Sequence, residues 1–330
     1  MMKFIDNQGI TDPRINLAIE EYALRYLPVE DDYLLFYINE PSIIIGKNQN
    51  TIEEINSAYV EEHGIHVVRR LSGGGAVYHD LGNLNFSFIT KDDGQSFHNY
   101  AKFTEPVTHA LRYLGVDAEL TGRNDIQVGE RKISGNAQFA VKGRMFSHGT
   151  LMFRTNLDSV VAALKVNAAK IESKGVKSIR SRVANITDYI TRSMSIEEFR
   201  SYLLTSIFGG STIPEYRLTN QDWERINEIS ESRYRNWDWN YGKSPRYNLT
   251  HSRRFEGIGT IDIRLQVNKG LIQEARIFGD FFGVAEITEI EELLIGLPYK
   301  KEEIAQAFDQ VDVSRYFGKL DRNQLIDLLV

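Results

Sequence analysis

The sequence predicts an α+β protein: a larger N-terminal domain of mixed, mainly antiparallel β-sheet with flanking helices, and a small α+β domain after it. Three observations support this fold class. The chain has 330 residues, more than a single hydrophobic core usually organises. Glycines interrupt alternating apolar runs between residues 118 and 153, as in an antiparallel meander. The pattern changes near residues 242–250, so we place the domains at 1–245 and 250–330.

Apolar residues in the N-terminal segments recur with the spacing of helices and strands. Apolar residues between 14 and 26 repeat as in an amphipathic helix. The runs Tyr33–Ile38 and Ser42–Ile45 predict two strands paired through a turn. Residues 51–63 predict one helix, with Thr51 as its N-cap. In this helix Glu54 completes the capping box and Gly64 follows the last turn.

The remaining elements follow from the same rules. Ser195 and Glu198 form a capping box for a helix that ends near Phe208. Residues 158–190 predict a loop or short helical region. The other predicted elements are strands at 65–70, 76–78 and 84–89, helices at 99–114 and 221–233, a hairpin of 257–267 with 271–278, and helices at 286–296, 300–309 and 321–330.

Composition excludes several classes of function. The chain has no cysteine, so disulfides, thiolate metal sites and cysteine nucleophiles are excluded. The net charge of −6 argues against a general nucleic-acid binder. The seven histidines show no metal-ligand spacing, so we expect no resident metal. The N-terminus shows no signal peptide and no apolar run could span a bilayer, so we expect a cytoplasmic protein without a membrane partner.

A glycine-rich stretch, residues 69–80, carries the first candidate site. It reads Arg-Arg-Leu-Ser-Gly-Gly-Gly-Ala-Val-Tyr-His-Asp. Consecutive glycines can present several N–H groups to an anion, and the arginines supply forked donors. A phosphate or carboxylate pocket and a flexible glycine hairpin with surface arginines are equally compatible with these residues. The stretch is neither a Walker A loop nor a dinucleotide fingerprint, because Gly-Lys-Ser/Thr is absent and a strand follows it.

Three later stretches carry further candidates. Lys132 lies in an alternating segment, where it is either an exposed strand lysine or a cation that neutralises developing charge. His148 opens an apolar strand and is either structural or ligand-binding. Residues 174–183 hold four cations in a glycine- and serine-containing stretch, either a solvated loop or one that folds over an anion.

Together these stretches resemble the lipoate–protein ligases, which combine a biotin/lipoate ligase catalytic fold with a C-terminal accessory domain. The matching segments, in order over residues 10–330, are 16–21, 46–50, 69–83, 122–125, 132–135, 148–151 and 178–183. The resemblance implies an ATP-dependent enzyme. Lipoate and Mg-ATP would form lipoyl-AMP and pyrophosphate, and a lysine of a lipoyl carrier domain would then attack the adenylate. No tightly bound cofactor is expected.

The resemblance also implies roles for individual residues. Lys132 would be the catalytic residue, bridging the α-phosphate and the lipoyl carboxylate, and residues 174–183 would cover the adenylate. ATP or adenylate contacts are implied for Arg70, Gly75, Ala76, Val77, Tyr78, Asn124, Asp125, Lys132, Lys174, Ser178 and Arg180. Lipoate contacts are implied for Arg70, Ser72, Gly73, Gly74, His79, Lys132 and His148. Any metal would be Mg²⁺ arriving with ATP, with Asp125 as its possible protein ligand.

One departure and several alternatives accompany the resemblance. Some family members carry an arginine shortly after the lysine, where this chain reads Asn136-Ala137-Gln138-Phe139, which puts acyl selectivity in doubt. Related octanoyltransferases and lipoyl amidotransferases need a cysteine that this chain lacks. Biotin ligases carry a different glycine loop. A non-catalytic lipoate or adenylate sensor, or a carrier-binding accessory protein, is the remaining alternative, although Lys132 argues against it.

The resemblance finally implies partners and motion. The carriers would be acyltransferase subunits of 2-oxoacid dehydrogenases and the glycine cleavage H protein. A monomer is the default expectation and is not part of what the resemblance implies. The junction near Gly242 suggests the hypothesis that the C-terminal module moves after adenylation to admit the carrier.

Overall fold

The computed structural model describes residues 1–165, 179–241, 249–268 and 270–330. The chain packs into two compact units. The N-terminal unit comprises Met1–Ile45, Ile52–Arg69 and Ala76–Asn240. The C-terminal unit comprises Gly46–Thr51, Arg70–Gly75 and Tyr241–Val330. Two short segments from the first quarter of the chain therefore belong to the C-terminal unit.

The N-terminal unit is built on two sheets. Its strands are β1 (Met2–Asp6), β2 (Asp32–Ile38), β3 (Ser42–Ile45), β4 (His66–Arg69), β5 (Val77–His79), β6 (Asn83–Lys91), β7 (Glu119–Thr121), β8 (Asp125–Val128), β9 (Arg131–Val141), β10 (Arg144–Met152) and β11 (Glu215–Tyr216). Among the described residues, eight strands form one sheet in the order β11-β1-β2-β6-β10-β9-β8-β7, and β4-β3-β5 form a smaller one. In this large sheet β1 pairs in parallel with β2 and β11, while the neighbours along β2-β6-β10-β9-β8-β7 all pair antiparallel. The large sheet is therefore mixed and mainly antiparallel, as predicted.

The predicted pairing of β2 with β3 is wrong. β2 pairs with β1 and β6 in the large sheet. β3 pairs with β4 and β5 in the small sheet. Both strands are almost wholly buried, so their sequences lack the half-polar alternation that would assign each to a sheet. The chain therefore changes sheets at this turn.

Helices cover the sheets of this unit. They are α1 (Pro13–Tyr26), α2 (Thr51–Glu54, which begins in the C-terminal unit), α3 (Ser57–Glu62), α4 (Tyr100–Tyr113), α5 (Leu157–Ala163), α6 (Ile179–Arg182), α7 (Ile196–Phe208), α8 (Asn220–Ile229) and α9 (Trp237–Asn240). Short 3₁₀ and π segments lie at Ile186–Asp188 and Ser230–Tyr234. The predicted capping box of Ser195 and Glu198 is confirmed, and Gly209 ends α7 with a φ of +70°. Gly115 follows α4 with a φ of +84°.

The single helix predicted over 51–63 is wrong, because the chain forms α2 and α3 with a break at Ile55 and Asn56. Ile55 makes a β-bridge with Leu164, and the Asn56 amide donates to the Ala162 carbonyl at 3.0 Å. The N-cap of α3 is Asn56, whose side chain accepts from the Tyr59 N–H, whereas Thr51 is the first residue of α2. Tertiary pairing therefore overrides helix propensity here.

The C-terminal unit has its own sheet and core. Its strands are β12 (Leu249–Phe255), β13 (Gly259–Asn268) and β14 (Leu271–Gly279), and its helices are α10 (Ile287–Leu294), α11 (Lys301–Ala307), α12 (Ser314–Phe317) and α13 (Arg322–Leu329). β13 and β14 form the predicted hairpin, and β12 adds a strand that was not predicted. A contiguous apolar cluster that includes Ile263, Phe281 and Phe308 fills the space between sheet and helices. Along the described part of the chain, no helix is both long and apolar enough to cross a bilayer.

Candidate functional site

Two neighbouring strands of the large sheet, β8 and β9, bring Lys132 and Asp125 together. Lys132 lies on β9, Asp125 begins β8, and the Lys132 Nζ is 2.8 Å from the Asp125 Oδ1. Both side chains are about one-third exposed, so the ion pair is reachable from solvent. Across the register from Asp125 lies Gly135, where a Cβ would approach the Lys132 Nζ to 2.8 Å. The ammonium therefore rests over a glycine that leaves room for it.

Asn124 and Asn136 lock the two strands that carry this pair. The Asn124 Nδ2 donates to the Asn136 carbonyl at 2.5 Å, and the Asn136 Nδ2 donates to the Asn124 carbonyl at 3.0 Å. In addition, the Arg123 Nε donates to the Asn124 Oδ1 at 3.3 Å. The Asn124 side chain is therefore engaged in holding the strands. Asn136 lies opposite Gly149, which has no Cβ to overlap its amide oxygen.

His148 is a buried histidine on β10, and its partner is a carboxylate. Its Nδ1 lies 2.9 and 3.1 Å from the two oxygens of Glu20 on α1. Both side chains are buried, so the hydrogen bond forms where water does not screen it. Because an ionised carboxylate only accepts, the His148 Nδ1 carries a proton in this contact.

His79 ends β5 and is also buried. Its Nδ1 lies 3.0 Å from the Asn39 Nδ2. The Asn39 Oδ1 in turn accepts from the Asn16 Nδ2 on α1 at 2.9 Å. Asn16 and Glu20 are four residues apart and so lie on one face of α1. One buried face of α1 therefore contacts both predicted site histidines: Glu20 contacts His148 directly, and Asn16 contacts His79 through Asn39.

The segment Ala76–Tyr78 enters β5 beside these groups. Val77 and Tyr78 pair with Ile44 and Ile43 of β3. Burial raises the pKa of the Tyr78 hydroxyl, and the nearby Asp80 charge acts in the same direction. Tyr78 is therefore a neutral, largely buried side chain, and the chain here is held as a strand.

In the C-terminal unit, Arg70 braces the glycine loop, Ser72–Gly75. The Arg70 Nε donates to the Ser72 Oγ at 2.9 Å, and its Nη2 donates to the carbonyls of Gly73 at 2.6 Å and Gly75 at 2.9 Å. Arg70 is 5% exposed. Its guanidinium therefore fixes the curvature of the loop.

Close packing explains two of the three glycines. A Cβ on Gly73 would overlap the Phe281 carbonyl, and one on Gly74 would come within 2.8 Å of the Phe282 ring. Gly74 also has a φ of +89°, which favours glycine. A Cβ on Gly75 would meet nothing within 4 Å. The close approaches at Gly73 and Gly74 are to the protein's own C-terminal residues.

Segment 46–50, which the resemblance had also matched, supports the same loop. The Lys47 N–H donates to the Ser72 carbonyl at 2.9 Å, and the Gly279 N–H donates to the Asn48 carbonyl at 2.8 Å. The Lys47 ammonium pairs with the Glu286 carboxylate at 2.8 Å. This segment therefore joins the glycine loop to the end of β14 within one compact unit.

The predicted site residues thus divide between the two units. Arg70, Ser72, Gly73, Gly74 and Gly75 lie in the C-terminal unit, whereas Ala76, Val77, Tyr78, His79, Asn124, Asp125, Lys132 and His148 lie in the N-terminal unit. Lys174 and Ser178 lie outside the described residues, and Arg180 falls within the backbone of α6.

Sequence reasoning missed several residues that hold this site. Glu20 and Asn39 are the partners of the two histidines, and Gly135 makes room for Lys132. Arg69, taken as a ligand-binding cation, is 1% exposed and instead donates through Nε to the Trp239 carbonyl at 2.9 Å. Asn16 and Glu20 did lie in a motif that fitted the family, but only the fold shows what they contact.

Two family models match this chain. Residues 12–208 match the lipoyl protein ligase A/B catalytic domain, and residues 244–329 match the bacterial lipoate protein ligase C-terminus. The lipoate-protein ligase LplJ of Bacillus subtilis is 64% identical over 99% of this chain and 100% of its own length. Lipoate–protein ligase 1 of Staphylococcus aureus is 58% identical over 99% of this chain and 100% of its own.

Solved structures of lipoate ligases also align with this chain. LipL1 of P. falciparum in complex with lipoate aligns with a TM-score of 0.80 over 99% of this chain and 97% of its own, at 24% identity, which confirms the predicted fold. A lipoate-protein ligase A bound with ATP aligns at 0.64 over 73% of this chain and 99% of its own, at 32% identity. A bi-partite lipoate protein ligase of Thermoplasma acidophilum, studied with its E2 lipoyl domain, aligns at 0.63 over 75% of this chain and 98% of its own, at 34% identity.

Matches to both domain models, and 64% identity to a named ligase along almost the whole chain, show that this protein belongs to the lipoate–protein ligases.

Proposed function

We propose that this chain uses ATP to activate lipoate as lipoyl-AMP, with release of pyrophosphate, and then transfers the lipoyl group to a lysine of a carrier domain with release of AMP. The observation that carries the proposal is the partly exposed Lys132–Asp125 pair on β9 and β8, in a chain of this family. The names of the relatives support the substrates: one solved relative is bound with ATP and another with lipoate.

Lys132 suits the charge changes of both half-reactions. When the lipoate carboxylate attacks the α-phosphate, negative charge builds on the phosphoryl oxygens, and a nearby ammonium lowers that energy. When the carrier amine attacks the adenylate, charge builds on the acyl oxygen and then on the departing phosphate. Asp125 holds the ammonium in place before either step. The absence of cysteine fits a route in which the acyl group passes from adenylate to lysine without an enzyme thioester.

The described residues offer few ligands for Mg²⁺ in this scheme. Within the described ranges no group of three metal-ligating side chains comes together, and the Asp125 carboxylate is shared with Lys132. This donor set fits an ion held mainly by ATP phosphates, for which Asp125 would be the protein ligand. When bound there, Mg²⁺ would neutralise phosphate charge.

The proposal extends to the other predicted residues and to the partners. Arg70 and the segment Gly75–Tyr78 would contact ATP directly or through the loop that Arg70 braces, and His79 and His148 would contact lipoate. The carriers would be acyltransferase subunits of 2-oxoacid dehydrogenases and the glycine cleavage H protein. The enzyme would act in the cytoplasm as a monomer, with domains at 1–245 and 250–330.

ATP–pyrophosphate exchange with and without lipoate tests the proposal. We expect lipoate-dependent exchange that falls at least 100-fold in Lys132→Ala, since an oxyanion-stabilising group contributes about 2.7–4 kcal/mol. Lys91→Ala, which removes an exposed lysine from β6 of the same sheet, is the matched control and should leave exchange unchanged. If the wild type gives no exchange, adenylation is contradicted and a lipoate or adenylate sensor becomes the better explanation.

A further inference from the structure

A chain of buried amides runs from α1 to His79, and backbone carbonyls fix its direction. The Asn16 Nδ2 lies 2.9 Å from the carbonyl oxygen of Ile10 and 3.4 Å from that of Ile38. A carbonyl oxygen only accepts, so this end of the Asn16 side chain must be the NH₂ group. Asn16 is fully buried, which leaves no water to satisfy a reversed amide. The orientation of Asn16 follows from the fold itself.

The direction then passes along the chain to the imidazole. The Asn16 NH₂ also donates to Asn39 at 2.9 Å, so the Asn39 atom that receives it is the amide oxygen. The Asn39 NH₂ therefore points at the His79 Nδ1, 3.0 Å away. A donor facing Nδ1 requires a lone pair there. The Asn16–Asn39 relay accordingly places the proton of a neutral His79 on Nε2 and disfavours the imidazolium, which would set an N–H against an NH₂ group.

On the same helix, Glu20 presents a hydrogen-bond acceptor to the Nδ1 of His148, where Asn39 presents a donor to the Nδ1 of His79. Glu20, one turn after Asn16 on α1, places both carboxylate oxygens within 3.1 Å of the His148 Nδ1, so that nitrogen carries a proton. The two predicted site histidines thus have different hydrogen-bond partners: His148 contacts a carboxylate, and His79 contacts a neutral amide.

We propose that Asn39 and Asn16 are positioning residues that hold His79 as a neutral Nε2–H donor, so that His79 serves lipoate as a hydrogen-bond donor and not as a base or a cation. This inference rests on the proposed function for the identity of the ligand. The tautomer itself rests only on the relay.

Long-range ¹H–¹⁵N correlation spectra of the wild-type protein at neutral pH test the tautomer without any substitution. His79→Gln identifies the His79 signals. We expect a neutral ring with the proton on Nε2, and a protonated Nδ1 for His148 in the same spectrum. A wild-type His79 that is protonated on Nδ1, alone or on both nitrogens, overturns the proposal.

Asn39→Asp tests the relay. The new carboxylate can still accept from Asn16, but it presents an acceptor to His79, so we expect His79 to acquire an Nδ1 proton while the His148 signals stay unchanged. Asn7→Ala is the matched control. It removes another buried amide that donates to the Asn16 Oδ1 at 2.9 Å, but the two carbonyls still orient Asn16, so the His79 spectrum should not change. An unchanged His79 spectrum in Asn39→Asp overturns the relay.

Steady-state kinetics of the full-length enzyme connect the tautomer to lipoate. We expect Asn39→Asp to change the KM for lipoate about 10-fold, and to leave the KM for ATP within about 2-fold. The KM for lipoate rises if the His79 proton moves from Nε2 to Nδ1, because the hydrogen bond to lipoate is lost. It falls if both nitrogens are protonated, because that hydrogen bond then has a charged donor. An unchanged KM for lipoate overturns the positioning role. If the wild type shows no lipoate-dependent exchange, the proposed function fails, whereas the spectra still decide the tautomer.

Discussion

At the scale of single residues, the candidate site depends on small residues that leave space for large ones. The Lys132 ammonium lies where a side chain at position 135 would stand, and the Asn136 amide lies against the bare Cα of Gly149. Neither glycine has a positive φ, so space rather than backbone conformation is the reason for both. A missing side chain can therefore matter as much to this site as the cation it accommodates.

Gly135→Ala is expected to displace Lys132 without unfolding the protein. The added Cβ would lie 2.8 Å from the Nζ and 3.0 Å from the Cε, and the flexible end of the lysine can move away at little cost. A displacement of about 1 Å at a reacting group can cost about 100-fold in rate, so we expect ATP–pyrophosphate exchange to fall about 10- to 100-fold.

Thermal unfolding beside the exchange assay checks the reason for that loss, and the Tm should change little. Gly210→Ala is the matched control, because a Cβ there meets nothing within 4 Å and its φ is not positive. Full exchange activity in Gly135→Ala would contradict the space-filling explanation.

At the scale of elements, the side chains of capping residues decide where helices begin. Asn99 accepts from the Lys102 N–H and caps α4, as Ser195 caps α7. In the loop before α4, the Asp93 carboxylate accepts from the Ser96 hydroxyl at 2.7 Å and from the Ser96 N–H at 2.6 Å. These hydrogen bonds hold the loop in the shape that leads into the helix.

The Asp93 carboxylate should make stability depend on acid pH. The hydrogen bonds from Ser96 and Gln95, with Lys102 nearby, hold the pKa of Asp93 well below its usual range. Because the folded-state pKa is below the unfolded value of about 4, the stabilisation is complete above that pH and is lost as the pH falls towards the folded-state pKa.

Urea unfolding of wild type and Asp93→Asn at several pH values checks this expectation. The wild type should be the more stable at neutral pH, and the difference should shrink below about pH 4. Asp93 is exposed, so added salt should weaken the contribution of Lys102. A difference in stability that stays constant across this range would contradict the assignment.

At the scale of the whole molecule, the two compact units are not two continuous halves of the sequence. Segments 46–51 and 70–75 belong to the unit of the C-terminal residues, although the chain before and after them belongs to the other unit. The Lys47–Ser72 and Gly279–Asn48 backbone hydrogen bonds explain this grouping. C-terminal residues therefore help to shape the glycine loop that the resemblance assigns to ATP and lipoate.

Phe282→Ala is expected to weaken the use of ATP by loosening that loop. The Phe282 ring is buried beside Gly74, and its removal takes away packing that opposes movement of the loop braced by Arg70. We expect the KM for ATP to rise about 10-fold, measured well below the Tm of the variant, as binding energy is used to reorder the loop.

Phe308→Ala is the matched control for this experiment. Phe308 is fully buried in the core of the same unit, where we expect its removal to leave a comparable cavity that costs about 3–5 kcal/mol. If both variants raised the KM for ATP equally, general destabilisation would explain the result, and the specific support by Phe282 would be contradicted.

The sequence alone determined the local elements and the chemistry that the chain can carry. Helix α7 was predictable because Ser195, Glu198 and Gly209 act within their own turn, and the hairpin of β13 and β14 was predictable from the turn between them. The absence of cysteine excluded an acyl-cysteine route without any structure. Lys132 was identified as a candidate, and its family motif suggested a role.

Only the tertiary structure decided which distant groups meet. The assignment of β2 and β3 to different sheets, the break at Asn56, and the partners Asn39 and Glu20 all depend on contacts between segments far apart in the chain. Local propensity and periodicity carry no record of such contacts, because their energies arise only when burial brings the partners together. For the same reason the sequence offered His79 and His148 as equivalent candidates, whereas the fold gives one an amide partner and the other a carboxylate.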